Sequence, residues 1–229
     1  MSQNLKQIVI AIDGPAASGK TTTARLVAER LGYLHVDTGA MYRAVTLKVL
    51  LHRINIRDAE AVEQLTDGTE IRLERDDGDV KVVLDGEDVT KQIREPEVTK
   101  AVSAVSSYEK VREAMVREQR SIGKEGGIVV EGRDTGTVVF PDAQLKIYMV
   151  AFVKERARRR QRELKTQGVV SDLESIVQEI VERDEKDSSR RVSPLRKAAD
   201  AVVLDTSRMT IEQQVEFIVE KAREIINKR

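Results

Sequence analysis

The stretch Gln7-Ile8-Val9-Ile10-Ala11-Ile12-Asp13-Gly14-Pro15-Ala16-Ala17-Ser18-Gly19-Lys20-Thr21-Thr22 decides the fold. Gln7 to Ile12 is a short apolar run rich in β-branched residues and reads as a buried strand. Gly14 to Thr21 matches the pattern G-x-x-x-x-G-K-[ST] with nothing missing. Small residues let successive backbone N–H groups converge on phosphate oxygens, and the N-terminus of a following helix adds positive potential. Lys20 supplies a point charge for the β- and γ-phosphates, and the Thr21 hydroxyl is placed to ligate Mg²⁺. Because a strand precedes the loop and a helical pattern follows it, Gly14, Pro15, Ala16, Ala17, Ser18, Gly19, Lys20, Thr21 and Thr22 are expected to bind a nucleoside triphosphate.

Outward from this loop, Lys20 to Leu31 predicts a helix, Leu34 to Val36 a short strand, and the stretch carrying Met41, Val45, Leu47, Leu50 and Leu51 another helix. That β-loop-α-β-α opening argues for a parallel sheet covered by helices. Near Gly68 the period changes to two. Ile71 and Leu73, then Val80, Val82 and Leu84, alternate with polar residues, with turns at Asp76-Asp77-Gly78-Asp79 and Asp85-Gly86, predicting a small antiparallel meander. Helical patterns resume near Glu97 and from Glu109 to Ile122. Gly127–Glu131 and Leu145–Val150 read as buried strands flanking Gly132-Arg133-Asp134-Thr135-Gly136. A basic helix, Lys154 to Thr166, and an amphipathic one, Leu173 to Arg183, precede a last strand, Ala201–Leu204, and a terminal helix. The fold class is therefore α/β: a P-loop NTPase fold with a parallel β-sheet flanked by helices, a small antiparallel β insert and a helical lid.

Composition narrows the chemistry. The 229 residues carry 39 basic and 39 acidic side chains, so no global field draws the chain to nucleic acid or an anionic membrane. Anions must be held by local clusters of arginine and lysine. The absence of cysteine excludes disulfides and thiolate metal sites. The start of the chain lacks the layout of a signal peptide, and no apolar run approaches membrane-spanning length, so a cytoplasmic protein is expected.

Among P-loop chemistries, a GTPase would show Asn-Lys-x-Asp, which does not occur. A motor ATPase would offer a strand ending in paired acids, whereas Ile128-Val129-Val130-Glu131 ends in one. A kinase acting on a phosphorylated acceptor needs many arginines outside the loop. Arg156, Arg158, Arg159, Arg160 and Arg162 cluster on one helix, and Arg43, Arg112, Arg133, Arg183, Arg190 and Arg191 lie near other candidate loops. The first cluster, Arg156 and Arg159 in particular, is expected to close over ATP phosphates and exclude water; otherwise it is a solvated face. The two histidines, His35 and His52, need no catalytic role, because a phosphate acceptor is already anionic and transfer proceeds by positioning and charge neutralisation. A kinase for UMP or another small metabolite, an ATP-dependent regulatory protein, and a nucleic-acid binder relying on the basic helix remain the competing readings.

Several longer stretches resemble the bacterial cytidylate (CMP) kinases. They are Ile12-Asp13-Gly14-Pro15, Asp37-Thr38-Gly39-Ala40-Met41-Tyr42-Arg43, Gly132-Arg133-Asp134, Gly136 to Ala143, Glu182-Arg183-Asp184, Arg190, Pro194-Leu195 and Ala199-Asp200-Ala201. The resemblance implies ATP-dependent phosphorylation of CMP and dCMP, with Mg²⁺; from the balanced charge no nucleic-acid or membrane partner is expected, and a monomer is expected. It implies base contacts from Ser103, Arg112 and Asp134, sugar contacts from Arg183 and Asp187, and phosphate contacts from Arg43, Arg133 and Arg190 helped by Thr38. Lys20, Arg133, Arg190 and Asp134 are the implied catalytic group. A carboxylate at Asp134 suits the exocyclic amino group of cytosine, and the Arg112 guanidinium suits its acceptors. The chain departs from the family pattern at Thr38, where many members carry Ser, and at Thr21 and Thr22, which fill variable positions. The implied layout has a core at about 1–37, 98–153 and 192–229, a monophosphate-binding region at about 38–97 with the insert at about 69–90, and a lid at about 154–172.

Overall fold

A computed structural model describes residues 7–76, 79–166 and 168–228, with the backbone alone at Arg75 and Asp79. In chain order the elements are β1 (Val9–Asp13), α1 (Lys20–Leu31), β2 (Leu34–Asp37), α2 (Thr38–Leu51), α3 (Ala59–Asp67), β3 (Ile71–Asp76), β4 (Asp79–Leu84) and β5 (Glu87–Asp88). A 3₁₀ turn (Gln92–Arg94), α4 (Pro96–Val105), α5 (Glu109–Ile122), β6 (Ile128–Gly132) and a π-helical turn (Thr135–Val139) follow. The chain ends with β7 (Leu145–Val150), α6 (Val153–Thr166), α7 (Leu173–Ser189), β8 (Val202–Asp205) and α8 (Ile211–Asn227). It divides into two compact units, Met1–Tyr33 with Gly126–Arg229, and Leu34–Glu125.

In the first unit the strands run in the order β6-β1-β7-β8, each pair parallel. Ile10 lies between Val129 and Leu145, and Met149 faces Leu204 in register. β1 and β6 are buried along nearly their whole length, whereas β8 leaves Val202 and Val203 exposed. α1 and α8 close over Ile8, Ile10, Ile12, Val129, Ile147 and Met149 through Ala24, Val27, Val215, Ile218 and Val219. Truncating one of these, Ile218→Ala for instance, would cost about 2–5 kcal/mol. α1 stops at Gly32, whose left-handed φ of 68° returns its N–H to the carbonyls of Ala28 and Glu29. α8 starts with a capping box between Thr210 and Gln213. α6 and α7 pack through Ala157, Ile176 and Ile180.

The second unit opens with Asp37, whose side chain accepts from Ala40 N at 3.0 Å and starts α2. The expected meander is present as β3-β4-β5, with Ile71 opposite Leu84 and Leu73 opposite Val82. Asp85 and Gly86, at φ 49° and 91°, form the two-residue hairpin turn read from the sequence; the other expected turn includes Asp77 and Gly78, outside the described residues. Lys48 of α2 donates to the Gly68 carbonyl at 3.1 Å and pairs with Asp85 at 2.7 Å, tying the sheet's base to the helix. Three elements were not expected, α3, the 3₁₀ turn and the π-helical turn, and α7 runs six residues past Arg183. No helix among the described residues is long and apolar enough to cross a membrane.

Candidate active site

β1 delivers the chain into the phosphate loop, and the loop's geometry explains its residues. At Gly14 a Cβ would lie 2.2 Å from the Met149 carbonyl oxygen, so only glycine lets the loop cross β7. Ala17 takes a left-handed φ of 56°, uncommon for a residue with a Cβ, and packs against the α6–α7 cluster. Three loop carbonyls are held by cations. Lys20 Nζ donates to Pro15 O at 2.7 Å, Arg156 Nη1 to Ala16 O at 3.1 Å, and Arg159 Nη1 to Ser18 O at 3.0 Å. In a trans peptide the C=O and the next N–H point opposite ways. Fixing these carbonyls therefore also fixes the directions of the Ala16, Ala17 and Gly19 N–H groups, the donors such a loop offers an anion.

Lys20 is buried. Burial strips its solvation and pushes its ammonium down from 10.5 to about 7; Arg133 and Arg183 add to the fall, while Glu131 and Asp13 oppose it. A phosphate at the loop would restore its charge. Thr21 Oγ1 donates to Glu131 Oε2 at 3.1 Å, bringing a hydroxyl and a carboxylate together at the start of α1. Thr22, beside it, is exposed.

Asp13, at the end of β1, is also buried. Its Oδ1 accepts from Thr135 N and Thr135 Oγ1, and its Oδ2 from Gly136 N, all at 2.8 Å. Burial raises its pKa, and these three donors partly offset the rise. The carboxylate fork thereby fixes the backbone that follows Arg133 and the buried Asp134. Asp187 gathers two expected arginines: Arg133 Nε at 2.7 Å and Arg190 Nη2 at 2.8 Å. Burial alone would raise the Asp187 pKa, but Arg133, Arg190 and Arg183 outweigh it and hold the carboxyl below its usual range. Arg156, besides holding Ala16, pairs with Asp184 at 2.5 Å.

The second unit holds the other expected residues. Arg43 on α2 donates to Ile93 O at 3.3 Å and Thr99 Oγ1 at 2.8 Å. Arg112 is buried on α5, stacked 5.0 Å from the Tyr42 ring centroid and donating to Ser106 O at 3.1 Å. It thus meets the C-terminal end of α4, where a cation is favoured and where Ser103 is half-buried. Thr38, buried, is the first residue of α2.

Asp13, Glu131, Asp184 and Tyr42 were not singled out as site residues in the sequence. Asp13 and Glu131 carried one available signal, an acid ending a buried strand beside the loop. Asp184 and Tyr42 lay inside the quoted motifs without a role.

With its buried Lys20 at the turn from β1 into α1 and Arg133 and Arg190 held by Asp187, the first unit belongs to the class of P-loop phosphotransferases. The particular family follows from comparison: the cytidylate kinase family model matches residues 10–224, and the chain belongs to that family. The cytidylate kinase of Chloroherpeton thalassium is 52% identical, covering 97% of this chain and 96% of the relative. That of Streptococcus sanguinis is 51% identical over 98% and 100%, and that of Geobacillus sp. strain WCH70 is 48% identical over 97% of each. Among solved structures, a shikimate kinase from Acinetobacter baumannii in complex with shikimate aligns with TM-score 0.48 and 14% identity, covering 96% of this chain and 95% of that one.

Proposed function

We propose that the chain transfers the γ-phosphoryl group of ATP in line to the phosphate of CMP or dCMP, giving ADP and CDP or dCDP. Near-full-length identity of about half to cytidylate kinases carries this reading. The chemistry of the first unit supports a phosphate acceptor over a hydroxyl. Among the described residues, the buried carboxylate beside the loop whose pKa is raised, Asp13, has both oxygens taken by donors and is not poised to remove a proton. An acceptor phosphate needs no base.

Each residue then has a task set by its surroundings. The loop amides and Lys20 hold the donor phosphates, Lys20 regaining its proton as they bind. Arg133 and Arg190, kept in place by Asp187, neutralise charge on the transferring group and the acceptor phosphate; Arg43 and Thr38 are the other candidate phosphate contacts. Asp187 spends one lone pair on each arginine and retains others for a ribose hydroxyl alongside Arg183. Asp134 accepts from the cytosine amino group, and Arg112 with Ser103 serves the base acceptors. Arg156 and Arg159 act on ATP through the loop, by holding the Ala16 and Ser18 carbonyls from α6, which with the following residues forms the lid.

Thr21 and Glu131 offer oxygen donors only, and no group of three His, Cys, Asp or Glu gathers among the described residues. That sparse set suits Mg²⁺, which keeps several waters. Bound there with ATP, it would neutralise the β- and γ-oxygens. We also propose a cytoplasmic monomer that binds neither nucleic acid nor membrane; the balance of 39 basic and 39 acidic residues supports anion capture by local clusters.

A coupled assay of ADP release across CMP, dCMP, UMP and AMP tests the assignment. CMP and dCMP should lead; faster turnover of AMP than of CMP would overturn it.

A further inference from the structure

Behind the phosphate loop, on the side away from its amides, lies a buried hydroxyl with no assigned task. Thr206, just after β8, is fully buried. Its N–H donates to Val150 O at 2.8 Å. Its Oγ1 is 3.0 Å from Ser18 O and 3.1 Å from Val150 O, so its single proton is shared between the two carbonyls. The same oxygen accepts from Arg159 Nη1 at 3.1 Å, and the Thr206 carbonyl accepts from Arg159 Nη2 at 2.6 Å. Packing alone would be met by valine; burying a hydroxyl is costly unless its bonds are used.

Those bonds converge on one peptide plane. Ser18 O belongs to the peptide that carries the Gly19 amide, and it receives both Thr206 Oγ1 and Arg159 Nη1. Thr206 also fixes the guanidinium that helps it. The surroundings reinforce this: a Cβ on Gly19 would meet Gln214 Oε1 at 3.4 Å and Arg159 Nη1 at 3.5 Å, and Gln214 is itself held by Thr23 at 2.7 Å.

Resting on the kinase reading for the identity of the donor, we infer that Thr206 is a positioning residue for ATP. Its hydroxyl orients the Ser18–Gly19 peptide and Arg159 so that the Gly19 amide faces the donor phosphates.

The test compares Thr206→Val, which keeps the shape and removes the hydroxyl, with Thr206→Ser, which keeps the hydroxyl. ATP and CMP are varied separately in the coupled assay, and a non-hydrolysable ATP analogue is titrated calorimetrically without acceptor. Thr206→Val should raise the ATP KM and the analogue Kd about tenfold, the loss expected for one charge-assisted bond. The CMP KM should stay within about twofold, and Thr206→Ser within about threefold of wild type throughout. Equal rises in both KM values, unchanged analogue binding, or a serine variant no better than valine would overturn the inference. If the valine variant does not fold, Thr206→Ala against Thr206→Ser gives the same contrast. A wild-type protein that binds the analogue but shows no CMP-dependent turnover would defeat the kinase reading, while the analogue Kd ratio still decides the role of Thr206.

Discussion

Replacing Lys20 with methionine should stabilise the ligand-free protein in acid and cripple it as an enzyme. The folded chain lowers the ammonium pKa from 10.5 to about 7. At about 1.36 kcal/mol per unit, the charged form costs the native state roughly 5 kcal/mol. Between pH 7 and 10.5 the unfolded chain holds the proton and the folded chain does not, so wild-type stability rises with pH across that window. Below pH 7 both states are charged and the penalty is present in full. Methionine removes the penalty but strands the acceptors at Pro15 O and Ser18 Oγ, a loss of about 1–3 kcal/mol. Lys20→Met should therefore exceed wild type by roughly 2–4 kcal/mol at pH 6; the gap should vanish between about pH 8.5 and 10 and reverse by pH 10.5, where wild type should lead by about 1–3 kcal/mol. Urea unfolding of both proteins without nucleotide at pH 6, 8 and 9.5 measures this. Added Mg-ATP should reverse the order, because only wild type has the cation. A variant less stable than wild type at pH 6, or a gap that ignores pH, would refute the desolvation account.

Other perturbations probe neighbouring features. Asp187→Asn leaves Arg133 and Arg190 facing each other with no anion, and should cost about 3–5 kcal/mol at pH 7 in urea unfolding. Because the Asp187 pKa is depressed below 3.8, that difference should shrink as pH falls beneath that value. Gly14→Ala drives a methyl into the Met149 carbonyl and should abolish binding of the ATP analogue in calorimetry; binding within threefold of wild type would contradict the close approach. Asp134→Ala should lower the ratio of kcat/KM for CMP over UMP by about tenfold or more while the analogue Kd holds; equal loss of ATP affinity would move Asp134 to the metal.

What could be read from the chain was whatever its physics kept local. The phosphate loop was legible because its glycines, lysine and hydroxyl sit within eight consecutive residues, Gly14 to Thr21. The Asp85-Gly86 hairpin was legible because two adjacent left-handed residues name their own turn. α3 escaped because nine residues span too few turns for the Val62 and Thr66 spacing to repeat, even with Asp58 as a sound cap. The end of α7 escaped because Glu182-Arg183-Asp184-Glu185-Lys186-Asp187 has no apolar rhythm. That stretch is held by the Asp187 pairs and by the bond from Leu195 N to Asp187 O at 2.8 Å. In the site, Thr21 meets Glu131 across 110 positions and Thr206 meets Ser18 across 188, separations no local pattern spans. The arginines were visible as a cluster; that two of them grip the back of the loop was not.

That grip bears on transplantation. A designer who moved Gly14 to Thr21 into another strand–helix junction would carry over one of the three cations that fix its carbonyls and leave Arg156 and Arg159 behind. The grafted loop would match the pattern letter for letter, yet its peptide planes would be free to rotate and its affinity for phosphate would fall. The smallest portable unit is the loop together with the first two turns of α6 and the residue after β8.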